Sequence, residues 1–211
     1  MHDSPDAPFA FGRALAAARR GDGWQPAGLI APLPSERDTL PDSLFARNVV
    51  PSSGAVIRTD SMRAVGGYDT SLAFSEDHDL WLRLAGRGRP VPLAHLVLIH
   101  RRHGGNRHVS SRAQQDDDTI TRRFGDLVGV GAQRSARLGL QLCEESLSAV
   151  RDRDVSELSR VGRRLLLSGP DRRAIVRSAG RHFRLRRAAR AAAVRCWAED
   201  DDLWAWLATY D

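Results

Sequence analysis

Acidic side chains are concentrated at the start of one predicted helix, in the segment 75–88. Its first turn carries Glu76, Asp77 and Asp79, with His78 between them. A helix N-terminus bears a partial positive charge, which favours the ionised form of a nearby acid. An ionised carboxylate on a rigid element can accept a proton from a substrate. The spacing therefore indicates base chemistry at this helix.

The helix that must position these acids has a recognisable start and a buried face. Ser75 stands directly before it and is a favourable N-cap residue. Leu80 and Leu84 recur behind the acids at helical spacing, so one side of the helix is expected to face a core. A glycine-containing turn over 65–69 leads into this region. The acids are therefore predicted to lie on a rigid, anchored element.

The residues before this helix predict short elements joined by loops. Gly21-Asp22-Gly23 is a turn signal, and the alanine-rich run before it resembles a helix. In chain order we expect a helix over 9–20, a strand over 27–31, a proline-rich loop through Pro41, a loop and short strand over 48–58, and a helical turn over 60–65.

The residues after the acidic helix change character twice. An apolar run over 90–100 predicts a strand, and 101–110 predicts a polar loop. From Ala113 the pattern becomes helical. Beyond Gly129, leucine, alanine and arginine alternate, with breaks near 152–154 and 168–170. This segment predicts three or four helices packed on or beside the core.

Composition limits the class of protein. The chain has 211 residues and a formal net charge of +6, and its cations other than histidine are all arginine. Cys143 and Cys196 fit neither a zinc site nor a disulfide framework, which indicates a reducing compartment. The N-terminal residues form no signal sequence, and no apolar run is long enough to span a bilayer. We therefore expect a cytoplasmic protein, in peripheral contact with the inner membrane face at most.

Four motifs occur in an order that resembles the acceptor half of family 2 glycosyltransferases. They are Asn48…Pro51-Ser52-Ser53-Gly54…Arg58, Val65-Gly66-Gly67-Tyr68-Asp69, Glu76-Asp77-His78-Asp79-Leu80-Trp81-Leu82-Arg83-Leu84 and Arg101-Arg102-His103. The resemblance implies an α/β fold: a partial GT-A, Rossmann-like glycosyltransferase core over 1–125, with a helical C-terminal extension over 126–211.

The resemblance also implies a reaction. A sugar would pass from a nucleoside-diphosphate donor to a hydroxyl of a carbohydrate or lipid-linked acceptor, with inversion. Asp77 would be the catalytic base, with Glu76 beside it. A divalent cation, Mn²⁺ or Mg²⁺, would offset the leaving charge, and His103 corresponds to a metal-holding histidine. Substrate binding would involve a further set of residues: Gly54 near the donor sugar, Asp79, Trp81, Arg101 and Arg102.

The sequence departs from this family before Phe45. Members begin with a nucleotide-binding half and an Asp-x-Asp metal motif, and the residues before Phe45 contain no Asp-x-Asp; the nearest approach is Asp3-Ser4-Pro5-Asp6. The sequence is therefore expected to be an N-terminally truncated glycosyltransferase, which can be inactive alone.

Simpler interpretations apply to the same residues. First-turn acids often only complement the helix dipole, Trp81 suits a core, and His103 suits a solvated loop. The arginine-rich segment 172–195 suits a solvated helical face, a membrane-surface helix or a nucleic-acid-binding helix. Nucleic acid is disfavoured because few aromatic residues are present to stack bases. The alternative functions are thus a non-catalytic binding or regulatory module, or a basic helical protein that binds a membrane surface or nucleic acid.

Overall fold

A computed structural model describes residues 4–32, 34–37, 39–102, 111–124, 130–168 and 172–198. These residues form a mixed α/β fold with four strands and eight helices in the described part of the chain. The strands are β1 (Phe9–Arg20), β2 (Gly23–Ile30), β3 (Ala55–Ile57) and β4 (Val91–Arg102). The helices are α1 (Pro34–Arg37), α2 (Leu40–Ala46), α3 (Thr59–Ala64), α4 (Glu76–Ala85), α5 (Ser111–Phe124), α6 (Val130–Asp152), α7 (Val155–Leu167) and α8 (Arg172–Ala198), and a short 3₁₀ turn spans Ser52–Gly54.

Strand β1 is the centre of the sheet and pairs with the other three strands. It runs parallel to β4 and antiparallel to β2 and β3. Because β4 follows β1 along most of its length, β2 and β3 share the opposite edge. The hairpin between β1 and β2 turns at Gly21, whose φ of 60° suits glycine at the first position of a two-residue turn. The sheet is therefore mixed and open.

The prediction of a helix over 9–20 is wrong, since these residues form β1. Both faces of the strand are buried, so alanine recurs without the polar alternation that marks a half-exposed strand. A short apolar run of this kind cannot be told from a buried helix by periodicity. Gly12 fits the strand for a steric reason, because a Cβ there would overlap the side chain of Val97 on β4.

Most large apolar side chains pack between β1 and helices α2, α4 and α5. The ring centroids of Phe9 and Trp81 lie 5.0 Å apart. The same cluster contains Phe11, Leu40, Leu44, Phe45, Val49, Val50, Leu80, Leu82, Leu84, Ile120 and Phe124. This core holds α4 rigidly against the sheet and so fixes the position of its first turn.

The C-terminal helices are packed against the rest of the molecule. Ala193 of α8 lies in a cluster with Leu15 and Ala17 of β1. Arg137 of α6 is buried, donates to the carbonyl of Phe45 at 2.6 Å and pairs with Asp117. The predicted break near 152–154 is confirmed, since α7 begins at Val155. The division of the chain at residue 126 stays a prediction, and contacts cross it.

Among the described residues, no helix combines the length and the apolar character that crossing a bilayer needs.

Candidate functional site

The carboxylate of Asp77 lies where three segments meet: the loop after α2, the 3₁₀ turn and the first turn of α4. Asn48 Nδ2 donates to Asp77 Oδ1 at 3.3 Å, and Ser52 Oγ donates to Asp77 Oδ2 at 2.5 Å. The backbone N–H of His78 also donates to Oδ1, at 2.6 Å. Asp77 is half-buried. Both of its oxygens are thus held in place while part of the side chain stays open to solvent.

The loop that supplies these donors is itself fixed. Val49 and Val50 are buried in the core, and the N–H of Val50 donates to Asn48 Oδ1 at 3.3 Å. The N–H of Gly54 donates to the carbonyl of Pro51 at 2.8 Å, which closes the 3₁₀ turn. Asn48 and Ser52 are therefore presented to Asp77 by backbone that is anchored on both sides.

Asn48 and Ser52 belong to the first sequence motif, but the motif resemblance predicts no role for either residue. The available signal was chemical: an amide N–H and a hydroxyl are neutral donors that can orient a carboxylate without cancelling its charge. Their distance along the chain from Asp77 concealed the contact. The structure brings the first and third motifs together at these three side chains.

The hydrogen bond from Ser52 to Asp77 has the geometry of the contact between an alcohol and a general base. A hydroxyl O–H points at a carboxylate oxygen of Asp77 within hydrogen-bonding distance. A general base must make this contact with the hydroxyl that it deprotonates. Since Ser52 is exposed, a substrate hydroxyl approaching from solvent could take its place on Oδ2. The geometry suits proton acceptance from an alcohol.

Glu76 and Tyr68 border the same carboxylate. Glu76 is half-buried in the first turn of α4. Partial burial raises the pKa of the Tyr68 phenol, and the negative charges of Asp77 and Glu76 raise it further. Tyr68 belongs to the turn before α4, so the second motif also lies near the acids. The phenol stays protonated at neutral pH and can serve as a donor.

The start of α4 is stabilised by a residue that sequence reasoning did not identify. Ser75 occupies the N-cap position as predicted, but its hydroxyl makes no capping hydrogen bond. Asp116 of α5 supplies the acceptor instead. Its Oδ2 accepts the successive backbone N–H groups of Ala73, Phe74 and Ser75 at 2.8, 2.7 and 3.3 Å. A buried carboxylate from another helix thus holds the entry to the acidic turn.

Asp79 is completely buried and ties three elements together. Arg83 Nε donates to its Oδ2 at 2.7 Å, and Arg123 of α5 pairs with its Oδ1. Arg123 also donates to Asp69 at 2.9 Å. Hydrogen bonds from Ser71, together with Arg123, lower the pKa of Asp69 to about 2. The geometry gives Asp79 a structural role, and the substrate contact assigned to it stays a prediction.

His78 and Trp81 face the core from the same helix. His78 Nε2 lies 2.6 Å from the carbonyl oxygen of Leu44. Burial, with the positive charge of Arg137, lowers the His78 pKa to about 4, so the imidazole is neutral at pH 7 and donates from Nε2. Trp81 is 1% exposed and packs on Phe9. The structure gives Trp81 a packing role, and its assignment to substrate binding stays a prediction.

Gly54 has a steric reason to be glycine. A Cβ at this position would lie 2.8 Å from Val97 Cγ2 and 3.2 Å from Leu98 Cδ2. The absent side chain therefore allows the 3₁₀ turn beside Asp77 to pack closely on β4. The approach of a donor sugar to Gly54, implied by the resemblance, stays a prediction.

The predicted basic motif lies at the end of β4. Arg101 and Arg102 are both exposed; the Arg101 guanidinium lies 5.8 Å from the centroid of the Trp24 ring, and Arg102 lines a cavity that also contains Asn48. His103 lies outside the described residues. Among the described residues, no group of three or more His, Cys, Asp or Glu side chains is placed to hold a metal ion. The expected Mn²⁺ or Mg²⁺ and the metal-holding role of His103 stay predictions.

Comparison of this chain with protein-family models, curated proteins and solved structures found no match.

Proposed function

We propose that this chain is the acceptor side of an inverting, GT-A-type glycosyltransferase, in which Asp77 is the general base. The observation that carries the proposal is the double anchoring of the Asp77 carboxylate by Asn48 and Ser52. Asn48 and Ser52 belong to the first motif and Asp77 to the third, so two motif segments that lie 25 to 29 residues apart meet at this one side chain.

The proposed reaction moves one proton and one sugar. As the acceptor hydroxyl oxygen attacks the anomeric carbon of the donor, Asp77 Oδ2 takes the hydroxyl proton, and the bond from that carbon to the diphosphate oxygen breaks. Asn48 holds Oδ1, which keeps the other oxygen turned toward the acceptor. A positioned base contributes about 10²-fold to 10⁴-fold in rate. The partners in this reaction are a nucleotide-sugar donor and a carbohydrate or lipid-linked acceptor.

The test is turnover of nucleotide sugars by the full chain. Release of nucleoside diphosphate from UDP-linked and GDP-linked hexoses, with Mn²⁺ or Mg²⁺ present, should fall about 10²-fold or more in Asp77→Asn. Asp60→Asn is the matched control, since Asp60 lies in the first turn of α3 and is fully exposed. Equal rates in wild type and Asp77→Asn would refute the base assignment. Absence of turnover by the wild type would contradict catalysis and favour the non-catalytic binding module.

A second candidate function is supported by the outer face of α8. The helix contains no acidic residue, and Val176, Phe183 and Val194 recur on one side of it while remaining about half-exposed. Arginines flank this apolar stripe. Such a face suits an anionic membrane surface, where arginine stems lie along the acyl boundary and their heads meet phosphates.

Sedimentation with vesicles tests this second function. The chain should bind vesicles that contain anionic lipid and not vesicles of phosphatidylcholine alone, and Phe183→Ser should weaken binding. Ser159→Ala, on the exposed surface of α7, is the control. Equal binding to both kinds of vesicle would contradict the electrostatic part of the idea.

A further inference from the structure

A cavity of about 670 Å³ opens between the sheet and helices α6 and α8. Arginines from five separate segments line it: Arg13 of β1, Arg37 of α1, Arg47 after α2, Arg102 of β4 and Arg195 of α8. Among the residues that the structure describes, Glu144 is the one acid in the lining. This space, called here the arginine cavity, is therefore strongly electropositive.

Two of the charged groups in the lining have partners within the protein. Arg47 pairs with Glu36 at 2.5 Å and also donates to the carbonyl of Ala31 at 3.1 Å. Glu144 of α6 lies 2.8 Å from His182 Nε2 of α8. Arg47 is therefore paired with a carboxylate of the protein. Glu144 is paired with a histidine and not with Arg13, Arg37, Arg102 or Arg195.

The other four arginines of the lining lack ion-pair partners among the described residues. Within the described ranges, Arg13, Arg102 and Arg195 form no ion pair and no side-chain hydrogen bond. Arg37 Nε is buried and has no hydrogen-bond partner there. A buried charged donor without a partner is unfavourable, and natural proteins normally satisfy such groups. An anion in the cavity would satisfy Arg37 and balance its neighbours.

The chemistry of guanidinium groups indicates which anion. Their planar, forked donors match the oxygens of phosphate better than those of a spherical ion. The volume falls in the range of small-molecule sites, about 300 to 1,000 Å³. Four arginines on four different elements, without a partner among the described residues, exceed what one phosphate needs. We propose that the arginine cavity binds a ligand carrying two or more linked phosphates, held by Arg13, Arg102 and Arg195.

This proposal does not depend on the transfer reaction. Asp77 is not in the lining, although Asn48 borders both the cavity and the Asp77 carboxylate. Arg13, which belongs to none of the sequence motifs, and Arg195 of α8 supply two of the cations. The cavity lining therefore combines arginines of the sheet with an arginine of α8, and only the tertiary structure brings them together.

Isothermal titration of the full chain with inorganic pyrophosphate tests the site. We expect saturable binding with one pyrophosphate per chain, weakened about tenfold or more by Arg102→Gln and by Arg195→Gln. Arg181→Gln is the matched control, because Arg181 is an exposed arginine of α8 outside the cavity. It should leave the affinity unchanged. Unchanged unfolding temperatures will show that each variant is folded.

Two results would overturn the proposal. One is the absence of saturable pyrophosphate binding by the wild type. The other is an equal loss of affinity in Arg181→Gln and Arg195→Gln, which would show only the general field of an arginine-rich chain. A parallel titration with a nucleoside diphosphate distinguishes the source of the phosphates. Tighter binding of the nucleotide supports the site and identifies a nucleotide ligand; equal affinity supports it and identifies the phosphates alone as the recognised group.

Discussion

The first turn of α4 and the arginine cavity arrange their charges in opposite ways. At α4, Asp77 receives hydrogen bonds from Asn48 and Ser52, and Asp79 pairs with Arg83 of the same helix and Arg123 of α5. In the cavity, Arg13, Arg102 and Arg195 have no such partners within the described residues. Charges that the fold pairs hold its elements together, whereas charges that it leaves unpaired are open to a ligand. Substitutions of the paired acids at α4 should therefore lower the free energy of unfolding, whereas substitutions of the cavity arginines should change it little.

The largest effect on stability is expected at Asp79. Asp79→Asn removes a fully buried charge that pairs with Arg83 and Arg123, so the free energy of unfolding should fall by about 3 kcal/mol. Chemical denaturation measures this. Asp60→Asn breaks an exposed pair with Arg63 and should change stability little. Similar effects of the two substitutions would mean that the network around Asp79 does not hold α4.

A smaller effect is expected from the pH response of His78. Its pKa is about 4 in the folded protein and about 6.5 when unfolded. The unfolded chain therefore binds a proton as pH falls through 6.5, while the folded chain does not until about 4. The free energy of unfolding should decrease by about 2 kcal/mol between pH 7 and pH 5.

Denaturation curves at both pH values, for wild type and His78→Gln, isolate this contribution. The decrease should be smaller by about that amount in His78→Gln, because the substituted side chain does not titrate. Identical pH dependence in the two proteins would show that His78 is not held neutral by its buried position.

The smallest stability effect is expected in the cavity. Arg195 is exposed and unpaired among the described residues, so Arg195→Gln should change the free energy of unfolding by less than about 0.5 kcal/mol. Denaturation in the absence of phosphate is the measurement. A loss as large as that of Asp79→Asn would remove the contrast between the two regions.

Much of the local structure could be predicted from sequence. The helix at Glu76 and the strand at Val91 have strong periodicity and clear neighbours, and both are confirmed within a few residues. The break before Val155 is marked by Asp154, which caps the next helix by accepting from the N–H of Glu157. These features depend on residues close together in the chain, and local patterns report them well.

Long-range features could not be predicted in the same way. The sequence of β1 predicts a helix, wrongly, because burial on both faces removes the polar alternation of a strand. Asp116 stabilises the entry to α4 from a helix about forty residues later, and Arg195 reaches the cavity from the last described helix. No spacing rule connects such residues. The proposed base, Asp77, could be named from the motifs, whereas its hydrogen-bond donors and the arginine cavity are visible only in the folded chain.

The central claim, that Asn48 acts by holding the Asp77 carboxylate as a base, is tested most directly by a double-mutant cycle. Nucleotide-sugar turnover is measured for wild type, Asn48→Ala, Asp77→Asn and the double variant. If Asn48 acts through Asp77, Asn48→Ala lowers turnover in the wild type and has no further effect once Asp77 is Asn. If the two losses multiply, Asn48 acts independently of Asp77, through the cavity that it also lines, and the account of the site is contradicted.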